Sequence, residues 1–71
     1  MFREIEAEAL FASPLGPADH PNAAQVKAAI ENTLRVLGPT GCLGAMAQEY
    51  GEHPETAPAR MRWALSLLEV A

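Results

Sequence analysis

Two histidines, one cysteine, two serines and a closely spaced arginine pair carry most of the side chains in this 71-residue chain that could do chemistry. His20 and His53 each sit in an acid-His-Pro run, DHPNAA and EHPETA, 33 positions apart. Zinc wants four protein ligands, or three and a water, so both histidines would have to converge with Cys42 and a carboxylate. None of the short ligand spacings typical of such sites is present. The competing reading is structural. Proline suits the first position of a helix, where its missing N–H needs no partner, and it pushes the residue before it out of helical geometry. Asn22 with Gln25 offers the first run a cap and capping box. Thr56 offers the second a cap for a helix carrying Pro58 in its first turn. Both His-Pro pairs are therefore expected at helix entrances, with no metal and no cofactor held.

Cys42 has two readings as well: a thiol activated by a helix N-terminus near Thr40, or a small apolar core residue. The core reading is expected. The glycines of GPTGCLG, at 38, 41 and 44, lack the lysine of a phosphate loop and the preceding strand of a dinucleotide turn. Ser13 is followed by proline and preceded by no acid, unlike the Asp-Ser-Leu attachment site of acyl carrier proteins. Arg60 and Arg62 diverge around a helix and cannot form one anion clamp. They read as solvated charges, or as partners for the glutamates near the N-terminus. No nucleophile, base and orienting group can be placed together, and the chain is expected not to be an enzyme.

The elements that would position these residues are all helical. Phe2, Ile5, Ala9 and Ala12 recur at helical spacing and predict helix one over 2–12. Three prolines and a glycine in SPLGPADHP predict a loop over 13–21. Val26, Ile30, Leu34 and Leu37 form one apolar stripe over about 22–37. Lys27–Glu31 and Glu31–Arg35 are i,i+4 pairs on that helix, and Gly38-Pro39 is a stop signal. Leu43, Met46, Ala47 and Tyr50 mark a short helix over about 41–50, and a last helix is expected over about 54–69. Its apolar residues form two stripes, Met61, Ala64, Leu65 and Leu68, and Trp63, Leu67 and Val70. The short connections predict that the last three of these four helices pack on one another.

Residues 43–67 resemble one unit of a tetratricopeptide repeat. Leu43-Gly44, Gly51, Ala57, Met61 and Ala64-Leu65 fall in the family's order with one residue inserted in the turn. The tryptophan before the Leu-Gly pair and the closing proline are absent, and Ala47 stands at the tyrosine position. The resemblance implies a helical hairpin, not a peptide-binding array.

Composition bounds the function. Alanine supplies 14 of the residues, which favours helix but buries little area. Nine acids against five bases, for a net charge of −4, disfavour nucleic acid and anionic lipid. No stretch is long and apolar enough to cross a bilayer. An acidic opening, MFREIEAEAL, is unlike a secretory leader, and a lone cysteine cannot close a disulfide within the chain. A cytoplasmic protein is expected. The reading as a whole is all-α, a small compact array of about four helices, the last two forming the repeat-like hairpin. A doubly striped final helix in so short a chain predicts a non-catalytic interaction module binding a protein partner or another copy of itself. Trp63, Leu67, Val70, Arg60 and Phe2 are the expected contacts. The second reading is a small acidic regulator that lays Glu4, Glu6, Glu8, Glu49, Glu52 and Glu55 on a basic surface.

Overall fold

The computed structural model describes the backbone of residues 2–70 and the side chains of residues 4–69. The chain is all-α. Three α-helices, α1 (Phe2–Ala12), α2 (Ala23–Glu52) and α3 (Ala57–Val70), follow one another, with a 3₁₀ turn at Pro17–Asp19 between the first two. The expected count of four is corrected to three, because the anticipated second and third helices run together as α2.

The reason lies at Gly38-Pro39. Gly38 leaves helical geometry alone, at φ 72 and ψ 167, a region open essentially to glycine. Proline at 39 then starts the next helical segment at once, since its fixed φ suits a first helical position. The stop signal was real, but it bends the helix instead of opening a loop. Close packing at the bend also accounts for Gly41, where a Cβ would lie 3.0 Å from that of Leu37.

The capping box foreseen at Asn22 is formed. Asn22 Oδ1 accepts from the Gln25 N–H at 2.8 Å, and the Asn22 N–H donates to Gln25 Oε1 at 2.8 Å. The His-Pro pairs themselves do not place proline at a first helical position. Pro21 precedes the Asn22 cap, after His20 has adopted a left-handed conformation at φ 46. His53 closes α2, donating its N–H to the Glu49 carbonyl at 2.7 Å. Pro54 lies in the turn beyond, where Ala57 donates to the His53 carbonyl at 2.9 Å.

Helix α1 is the hub. It packs against both α2 and α3, which touch each other far less. That corrects the expectation that the later helices pair through their short connections. The buried face of α1 is also rotated from the expected stripe: Ala7, Ala9, Leu10 and Phe11 are enclosed, whereas Ile5 is exposed. Leu10 and Ala9 meet Ile30 and Cys42 of α2 and Ala64 of α3 in one cluster, flanked by Val26, Leu34, Met61, Trp63, Leu67 and Leu68. Among the described residues, no helix is long and apolar enough to cross a membrane.

Candidate functional site

The chemistry-bearing residues are dispersed. Cys42 is fully enclosed in the core, while His20 and His53 are exposed. Burial pushes the Cys42 thiol up from its ordinary value, and the nearby Glu8 carboxylate adds to the shift. An enclosed thiol with a raised pKa lacks the partly exposed, electropositive setting of a reactive cysteine. Among the described residues, the one trio able to converge on a cation is Glu49, Glu52 and His53, whose ligand atoms lie within 4.8 Å of one another. Glu52 and His53 are exposed; Glu55 lies 3.6 Å from His53 Nδ1, and neither His20 nor Cys42 belongs to the group.

Arg60 has a role that spacing did not reveal. Its guanidinium donates from Nε to the Phe11 carbonyl at 3.0 Å, and from Nη2 to those of Ser13 and Leu15 at 2.9 and 2.6 Å. These acceptors lie at the end of α1 and just beyond it, where helical carbonyls run out of intrahelical donors. The positive charge also suits the negative pole of the helix. The same guanidinium lies 5.6 Å from the ring centroids of both Phe11 and Trp63. Phe11 in turn stacks on Tyr50 at 5.8 Å. Ser13 completes the closure, its hydroxyl donating to the Leu10 carbonyl at 2.6 Å and accepting from the Leu15 N–H at 3.3 Å. Arg60 is thus a tether across the fold. A cleft of about 400 Å³ beside it also carries Glu49 on its wall. Arg62 is exposed.

The other end of the molecule is open. A groove of about 620 Å³ runs between the first segment of α2 and the last turns of α3, with a floor of Val26, Ile30, Leu67 and Leu68. Its rim carries Glu6 of α1 and Lys27 and Glu31 of α2. The expected ion pairs along α2 are not formed among the described residues. Arg35 donates instead to the Asn32 side chain, and among the described residues the one close acid–base contact is that of His53 with Glu55. Glu31 and Glu6 therefore face the groove without a cationic partner among the described residues.

Of the five contacts expected from sequence, Leu67 lines this groove. Trp63 is half-buried against the core and Arg60. The side chains of Phe2 and Val70 lie outside the described residues. Val26, Ile30 and Leu68 appeared in the sequence only as members of apolar stripes; their joint role needs the packing of three helices. No family model, curated protein or solved structure matches the chain.

Proposed function

We propose that this protein is a non-catalytic interaction module of the cytoplasm that docks a protein partner in the groove between α2 and α3. The observation that carries the reading is a groove lined by the partly exposed Val26, Leu67 and Leu68 over the buried Ile30, on a chain whose thiol is enclosed and whose imidazoles are exposed elsewhere. Apolar surface gathered into a concave site marks binding more than scattered exposed side chains do. A lone enclosed cysteine accords with a reducing compartment. The repeat resemblance of residues 43–67 implies a helix-turn-helix order, whose turn would correspond to residues 53–56, and no array.

The test is site-specific photocrosslinking in the native cells. A photoreactive residue at Lys27, on the groove rim, is expected to give discrete protein adducts, while one at exposed Ala59 gives none. A self-adduct assigns the partner to another copy of the chain. Equal patterns from both positions, or none from either, overturn the proposal.

The acidic-regulator reading has one specific support, Glu6 on the groove rim, which Glu31, outside the contacts expected of that reading, joins there. Their charge adds to the groove's function instead of replacing it.

A further inference from the structure

We infer that the occupant of the groove is a short amphipathic helix from another protein, apolar on one face and basic on its flanks. This inference rests on the interaction-module reading and specifies the partner's chemistry. Two observations carry it, the length of the groove and the sign of its walls.

On α2 the lining runs from Ala23 to Glu31, a span of about 12 Å at a rise of roughly 1.5 Å per residue. Two turns of a docked helix have the same length, room for apolar anchors at i, i+4 and i+7. Val26 and Ile30 are one turn apart on α2, and Leu67 and Leu68 complete the apolar lining from α3. A helix laid in a furrow between two helices extends the packing the chain already uses.

The walls set the charge. Glu6 approaches from α1 and Glu31 from α2, so carboxylates stand on two different elements bordering the same furrow. Neither has a cationic partner among the described residues, and Lys27 leaves the rim net negative. The chain as a whole carries −4, which steers a cationic segment toward it and repels an anionic one. Lysines or arginines flanking the anchors of the incoming helix would meet Glu6 and Glu31, and a second copy of this acidic chain would meet like charge.

Fluorescence anisotropy on the full chain tests this with a stapled helical probe of about twelve residues, leucines at i, i+4 and i+7 and lysines on the flanks. The staple is needed because an isolated helix of that length is marginal in water. A companion probe carries glutamate for every lysine. The lysine probe is expected to bind at least about ten-fold more tightly at low salt, with the advantage collapsing near 1 M salt as the charges are screened. The double variant Glu6→Lys/Glu31→Lys should invert the preference, and Glu6→Gln/Glu31→Gln should abolish it, with helicity checked by circular dichroism. Methyl resonances of Val26, Ile30, Leu67 and Leu68 should shift on binding while those of Leu43 do not.

Equal affinity of the two probes at low salt overturns the inference, as do shifts centred away from the groove. Sedimentation showing a dimer that Val26→Lys abolishes would give the groove to a second copy and would also overturn it. Protein adducts at Lys27 alongside probes of equal affinity would leave the interaction module standing and remove only the basic helix.

Discussion

Two stretches of α1 are used in opposite ways. At its C-terminus Arg60 reaches across 45 to 49 residues of sequence to take three carbonyls, Ser13 turns back on Leu10, and Phe11 is held between Tyr50 and the guanidinium. Near its middle Glu6 borders a furrow whose apolar lining, Ile30 apart, is only partly covered. In a small domain the stabilising contacts must be concentrated somewhere, because little area is available to bury. Here they gather where the helix hub leaves its carbonyls, which frees the opposite side to present apolar surface.

The largest expected effect is on the closed end. Arg60→Ala removes the donor from three carbonyls and the cation from two rings, and should destabilise the fold by about 3 kcal/mol. The readout is a lower urea midpoint at unchanged slope. Arg60→Lys keeps the charge without the planar fork and should recover less than half of the loss. A stability within about 0.5 kcal/mol of wild type, the range of ordinary surface changes, would show that packing alone closes this end.

Next comes Gly38→Ala, which forces a Cβ into a conformation at φ 72 and ψ 167 that glycine alone adopts readily. A cost of about 1 to 3 kcal/mol is expected. No side chain crowds the site, since nothing lies within 4 Å of a built Cβ, so the loss measures backbone strain alone. An unchanged thermal midpoint would show that the bend relaxes freely.

At the open end Leu67→Ala should cost only about 1 kcal/mol, because its side chain is partly exposed before any substitution. Its effect on the lysine probe should exceed its effect on stability, an approximately ten-fold loss of affinity worth about 1.4 kcal/mol. If stability falls as far as with Arg60→Ala, the groove is core and the contrast between the ends fails.

The smallest effect is on pH. A thiol whose pKa is raised by folding stabilises the fold below the value it has when unfolded. For Cys42 that increment is held up to about pH 9.0 and lost as the pH climbs through the folded value. Cys42→Ala should flatten the alkaline decline seen in urea titrations at pH 8 and pH 10. An equal decline in both proteins would show that Cys42 ionises alike in both states.

The helical class and the loop after Ala12 could be read from alanine content, apolar period and the prolines. The orientation of α1 could not. On an alanine-rich helix the stripe Phe2-Ile5-Ala9-Ala12 and the face Ala7-Leu10-Phe11 are both apolar, and only the partners in three dimensions choose between them. Arg60 was visible as a charge but not as a tether, because backbone carbonyls leave no signature in the order of residues. The groove had a partial signal in Leu67 and the second stripe of α3. Its other wall belongs to a helix whose stripe looked like ordinary core.

The bend in α2 lies between two segments that both reach the core, through Ile30 before Gly38 and Cys42 after it. Residues before Gly38 supply one bank of the furrow, with Val26, Ile30 and Glu31, and residues after it bring Cys42 into the core. Gly38 thus lies on the same helix as the furrow's Val26 and Ile30 but outside the lining, and a substitution at that pivot would reach this wall through the backbone alone.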